Sequence, residues 1–111
     1  LAAAAAVLEL LVQCSHGTIR IFAALPNWWR DVAFDGIRTD GAFLVSGRIR
    51  DGEIEAVRVF SEAGAPLRVV NPFGERGCIV GSGEGASRHV NDPVIEMETK
   101  PGQVIVLSPA V

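Results

Sequence analysis

The hydrophobic pattern of the chain changes period at Gly17. Upstream, residues 1–14 are apolar almost without a break, with five consecutive alanines, four leucines, and only Glu9 and Gln13 clearly polar. Ala and Leu stand at the top of the helix-propensity order, so this segment predicts a helix. Gly17 would cap its C-terminal end, and His16 would lie near the negative pole of its dipole. Such a helix is apolar on every side, and a helix of that kind needs cover on more than one face. Downstream, Thr18-Ile19-Arg20-Ile21-Phe22 alternates with the period of a strand, and Ala23-Ala24-Leu25-Pro26 leads out of it into a turn at Asn27-Trp28-Trp29-Arg30.

The clearest local signal is Arg50-Asp51-Gly52-Glu53. Asp-Gly between two β-rich runs predicts a two-residue hairpin turn. An unbroken ladder from that turn pairs Arg50 with Glu53 and Arg48 with Glu55 on one face. On the other it sets Ile49 beside Ile54, Gly47 beside Ala56 and Phe43 beside Phe60. The second face is mainly apolar, Arg58 being the exception, and is expected to turn to the core. Further strands are predicted at 65–71, 78–81, 94–99 and 103–107, with Pro101-Gly102 turning the chain between the last two. The Gly-, Pro-, Ser-, Asn- and Asp-rich stretch 72–93 reads as a long loop around the strand at 78–81. Many short strands separated by turns predict a mainly β fold, a β-sandwich preceded by one N-terminal helix. The helix would occupy residues 1–16 and the sandwich 17–111.

Composition narrows the function. A chain of 111 residues that is 49% hydrophobic can bury a core without metals or disulfides. Its net charge of −3 and scattered cations give no footprint for nucleic acid or an anionic membrane. The apolar run ends at Glu9, too short to span a bilayer. Cys14 and Cys78 form no disulfide framework and read as small buried hydrophobes.

Candidate chemistry is sparse. His16, His89, Cys14 and Cys78 lack the spacing of a zinc site, so neither a metal nor a cofactor is expected. Cys14-Ser15-His16 resembles part of a nucleophilic constellation, but neighbours on a helix do not face each other. Gly81-Ser82-Gly83-Glu84-Gly85 has the glycines of a phosphate loop without its Lys-Ser/Thr. The carboxylates Asp31, Asp35, Asp40, Glu53, Glu55 and Glu62 fall in turns or on solvent-facing strand positions, which argues against a glycosidase pair. Trp28 and Trp29 remain as a candidate carbohydrate-binding platform, set against the commoner role of large aromatics as core or interface anchors.

Several of these segments resemble glycoside hydrolase family 95, the α-L-fucosidase-type enzymes. The run Leu10-Leu11-Val12-Gln13-Cys14-Ser15-His16-Gly17-Thr18-Ile19-Arg20-Ile21-Phe22-Ala23-Ala24-Leu25-Pro26 is similar to the segment joining that family's barrel to its C-terminal domain, and Trp29 matches the Trp that follows. Gly36-Ile37-Arg38-Thr39-Asp40-Gly41-Ala42-Phe43, Ser61-Glu62-Ala63-Gly64, Arg68-Val69-Val70-Asn71-Pro72 and Lys100-Pro101-Gly102 extend the likeness over most of the chain. Residues 74–92 have no counterpart in it, Cys14 replaces the usual residue, and Trp28 doubles the expected aromatic. The resemblance implies an (α/α)6 barrel carrying the catalytic residues upstream of Leu1, with this chain as the non-catalytic β-domain of a bacterial enzyme. It assigns no catalytic residue here. The expected partner is that barrel. The uncovered helix would also drive self-association of the isolated chain through residues 1–14. An independent carbohydrate-binding module using Trp28 and Trp29, with an oligosaccharide partner, stays open as the alternative.

Overall fold

The computed structural model describes residues 11–22, 30–81 and 87–110. Ten strands are found among them: β1 (Val12–Ser15), β2 (Thr18–Ile21), β3 (Val32–Thr39), β4 (Phe43–Arg50), β5 (Glu53–Ser61), β6 (Leu67–Val70), β7 (Cys78–Gly81), β8 (Ser87–Val90), β9 (Val94–Met97) and β10 (Gln103–Pro109), with a short 3₁₀ turn at Gly74–Arg76. A four-stranded sheet runs β1-β2-β6-β9 and a six-stranded sheet runs β3-β4-β5-β10-β7-β8. Every pairing is antiparallel except β2 with β6, where Ile19 lies beside Val69.

One continuous core joins the sheets. Ile19, Ile21, Leu67, Val69 and Ile95 come from the smaller sheet, and Phe43, Val45, Val57, Val59, Val80, Ile105 and Leu107 from the larger. Each such side chain contributes roughly 1.5–3 kcal/mol on burial. The β-branched residues that dominate this set also suit a pleated surface, so propensity and burial act together.

Among the described residues the expected N-terminal helix is not found beyond Leu11. Val12-Gln13-Cys14-Ser15 is a strand paired with Thr18–Ile21, and the hairpin crosses the boundary expected at residue 17. Residues 1–10 lie outside the described residues. The two-residue loop His16-Gly17 has φ +53° and +77°, the counterpart of Asp51-Gly52 at +52° and +79°. A glycine with positive φ serves a helix C-cap and a hairpin turn equally well. The alternation of Val12 and Cys14 with Gln13 and Ser15 decides between them. It turns Val12 into the core and leaves Gln13 and Ser15 in water, an arrangement that helical periodicity would scramble.

The Asp51-Gly52 hairpin forms as expected, and Arg50 pairs with Glu53 and Ile49 with Ile54. The ladder beyond differs. A bulge at Glu55 sets Arg48 opposite Ala56, Gly47 opposite Val57 and Phe43 opposite Ser61. Without it Arg58 and Phe60 would face inward and Val57 and Val59 outward. Burying an unpaired guanidinium is far costlier than one irregular ladder position, so the extra residue is accommodated and Val57 and Val59 become fully buried. Arg48 and Arg50 still reach Glu55, at 3.8 and 3.3 Å. These exposed pairs are worth about 0–1 kcal/mol each.

A second bulge lies in β3, where Asp35 and Gly36 together face Ser46. The Ser46 hydroxyl donates to Asp35 Oδ1 at 2.6 Å and accepts from the Gly36 amide at 3.0 Å, holding the bulge in place. The expected loop 72–93 contains β7, as predicted, and also β8, which was not.

Candidate functional site

Trp28 and Trp29, the predicted sugar platform, lie outside the described residues, as does 82–86 of the glycine-rich loop. Ser15 and His16 do meet, with Oγ 3.0 Å from Nδ1. The helical geometry that would keep them apart is absent, which corrects that expectation. The pair is exposed, and no carboxylate orients the imidazole among the described residues. A nucleophile and base without an orienting third group or an oxyanion pocket fall short of an acyl- or glycosyl-transfer site.

The cysteines are free. Cys78 is fully buried, while Cys14 is half-buried beside Asp40. Loss of solvation raises both thiols above the ordinary 9.0, and neither is activated as a nucleophile. No three His, Cys, Asp or Glu side chains converge as metal ligands among the described residues. The carboxylates weighed for glycosidase chemistry are all exposed. Several serve local structure: Asp31 accepts from the Asp51 amide at 3.2 Å, Asp35 holds Ser46, and Glu62 pairs with Arg38 at 2.9 Å.

Two features that the sequence reading missed stand out. The first is a buried polar corner. Ser61 and Thr99 are buried, their hydroxyls 2.8 Å apart. Ser61 Oγ accepts from the Gly64 amide at 3.0 Å, Thr99 Oγ1 donates to the Ala65 carbonyl, and the Gly102 amide reaches the Ser61 carbonyl. Gly64, at φ +75°, lies so close to Pro101 that a Cβ would meet the proline ring and nitrogen. The stretches 61–64 and 100–102, far apart in sequence, thus build one corner.

The second feature is the outward face of the six-stranded sheet. The bulge at Glu55 places Phe60 there, between Leu44 and Val104 in one cross-strand row. Val106 on β10 and Ile79 on β7 continue it. All five are only partly buried. Period two alone would have put Phe60 inside, and its outward position could be foreseen only from the cost of burying Arg58.

The architecture and the corner frame the comparison with known proteins. The family model for the glycoside hydrolase family 95 C-terminal domain matches residues 13–107. The chain belongs to this family. No curated protein matches it. The family-95 match begins in β1 and ends in β10, so it reaches into both sheets and takes in the two hairpin turns, both bulges and the Ser61-Thr99 corner. Within this C-terminal domain the stretch 36–43 is the end of β3, its bulge glycine at φ +70°, the following turn and the first residue of β4. The residues that carried the resemblance include both strand segments and the turns at His16-Gly17, 40–42 and Pro101-Gly102.

Proposed function

We propose that this family-95 C-terminal domain is a non-catalytic accessory domain of a bacterial glycoside hydrolase of the α-L-fucosidase type, packing on the catalytic barrel and stabilising it. The observation that carries the reading is the family match across both sheets of the sandwich. It is supported by how the titratable groups are used. The carboxylates weighed for catalysis lie exposed on strands and turns, and Asp31, Asp35, Glu55 and Glu62 hold turns, bulges and strand partners rather than facing one another across a cleft.

The test compares the parent enzyme with and without this domain. Deletion is expected to lower the melting temperature of the barrel while the intact enzyme hydrolyses an aryl α-L-fucoside. A barrel that melts and turns over unchanged without the domain would refute the accessory role. Turnover by the isolated domain would refute its non-catalytic character.

A further inference from the structure

Asp is followed by Gly at three places, Asp35-Gly36, Asp40-Gly41 and Asp51-Gly52. This dipeptide is chemically labile. The glycine nitrogen attacks the aspartyl Cγ, the carboxyl hydroxyl leaves with the amide proton as water, and a five-membered imide closes. Water then opens the ring at either carbonyl. One product is aspartate again. The other is isoaspartate, in which the main chain runs through Cβ and Cγ. Glycine favours the attack because it has no side chain to hinder it. The fold keeps glycine at all three places, where φ is +70°, +87° and +79°, a region that a Cβ penalises. At Gly41 a Cβ would also lie 3.0 Å from the Phe43 ring.

We infer that Asp40-Gly41 is a site of spontaneous isoaspartate formation in the folded protein, and that the other two pairs are shielded from it. Exposure does not separate the three, since all six residues are exposed. What separates them is how the attacking amide is held. The Gly36 amide donates to Ser46 Oγ at 3.0 Å, and the Ser46 hydroxyl donates to Asp35 Oδ1 at 2.6 Å, so nucleophile and carboxylate are tied to one side chain. The Gly52 amide donates to the Arg30 carbonyl at 2.9 Å. Asp51 is itself fixed, by Arg30 Nη2 on its carbonyl at 3.1 Å and by Asp31 Oδ1 on its amide at 3.2 Å. The Gly41 amide has no hydrogen bond among the described residues. Thr39 Oγ1 donates to the Asp40 carbonyl at 3.4 Å, and the Asp40 carboxylate neighbours the Cys14 thiol, a weak donor. Neither contact holds the Gly41 amide. A hydrogen bond that must break before the attack slows it by about 2- to 10-fold. Conversion adds one main-chain carbon to the turn between Thr39 and Phe43, at the end of the β3-β4 ladder.

The test ages the full-length protein at neutral pH, folded and in parallel in urea, and measures isoaspartate at each site. The three pairs fall on separate tryptic peptides, 31–38, 39–48 and 51–58. Chromatography with electron-transfer fragmentation distinguishes the isoaspartyl from the aspartyl form of each. In the folded protein, isoaspartate is expected at Asp40 about 10-fold faster than at Asp35 or Asp51. In urea the hydrogen bonds are gone and the difference should largely disappear. Asp40→Glu keeps the charge but would need a six-membered imide, which closes far more slowly, so the product in 39–48 should vanish. Ser46→Ala frees the Gly36 amide and should raise the rate at Asp35 toward that at Asp40, with Asp51 as the unchanged control in the same sample. Equal rates at the three folded sites, or Asp35 or Asp51 ahead of Asp40, overturn the proposal. So does a folded Asp40 that stays unconverted while the urea sample converts. A rank order that persists in urea assigns the difference to neighbouring residues instead of the fold, and overturns it too. An unchanged rate at Asp35 in Ser46→Ala overturns the shielding. Should Ser46→Ala unfold, Asp51 would rise along with Asp35, and the wild-type comparison, which needs no variant, decides.

Discussion

Gly64 stands where the chain leaves β5 and turns toward β6, and replacing it with alanine tests the buried corner directly. Two costs arise. The backbone there has φ +75°, a region in which an L-residue with a Cβ loses about 1–2 kcal/mol. The new Cβ would also lie 2.5 Å from Pro101 Cδ and 2.8 Å from its backbone nitrogen. A ring could shift, but the nitrogen belongs to the turn that passes the chain to β10, and overpacking of this kind costs about 1–3 kcal/mol. Against these stands a gain of about 0.4–1 kcal/mol from the stiffer unfolded chain. The net loss is about 3 kcal/mol, a large share of the roughly 5–15 kcal/mol that holds a domain together. Urea unfolding followed by circular dichroism should show the midpoint falling by about 1–3 M. Gly102→Ala separates the two costs. Gly102 has φ +83° but nothing within 4 Å of its Cβ position, so it bears the conformational cost alone, about 1 kcal/mol. Pro101→Ala should recover part of the Gly64→Ala loss in a double-mutant cycle. A Gly64→Ala variant within about 0.5 kcal/mol of Gly102→Ala would refute the steric reasoning.

Ser61→Ala removes the acceptor of the Gly64 amide and a partner of the Thr99 hydroxyl inside the core. The expected loss is about 1–3 kcal/mol, with faster exchange of the Gly64 amide, and unchanged exchange would contradict the hydrogen bond. Cys78 makes stability fall in alkali. Desolvation raises its folded-state value above the 9.0 of a free thiol, so the contribution is intact below that pH, where both states hold the proton. It is lost at up to about 1.4 kcal/mol per pH unit once the unfolded thiol ionises and the folded one does not. Urea titrations at pH 8 to 10 under reducing conditions should therefore show a shallower decline in Cys78→Ala, and parallel declines would rule the effect out.

Most of the strand positions were legible because their cause is local. Alternation at 18–22, Asp51-Gly52 between two β-rich runs, and Pro101-Gly102 each act within a few residues, and β2, the β4-β5 hairpin, β7, β9 and β10 appear where they predict. The failure at residues 12–16 has an equally specific origin. Leucine and alanine propensity extends the expected helix over Val12-Gln13-Cys14-Ser15, where period two takes over. Gly17, at positive φ, suits a helix cap and a hairpin turn alike. Propensity of a few tenths of a kcal/mol per residue yields to a paired strand with a buried face. β8, with Ser87, Arg88 and His89 all exposed, carries no apolar alternation that could announce it.

The likeness to the family was likewise legible, and part of it lies in turn and bulge residues whose backbone needs leave a trace in composition: His16-Gly17, Gly36, Gly64, Pro101-Gly102. What those residues build was not. Ser61 and Thr99 are ordinary in sequence and become a buried pair only when the end of β5 meets the segment leading into β10. The same holds for the outward face of the six-stranded sheet. Local pattern runs β5 straight from its turn and sends Phe60 inward. The folded sheet inserts a bulge at Glu55 and sends it out. Chain chemistry specified a mainly β fold, most of its strands and the family it belongs to, because alternation and turn geometry act between neighbours. Register beyond the turn, and with it the face that Phe60 and Arg58 share, was settled by long-range packing, because only the assembled core sets the cost of burying Arg58 against the gain from burying Val57 and Val59.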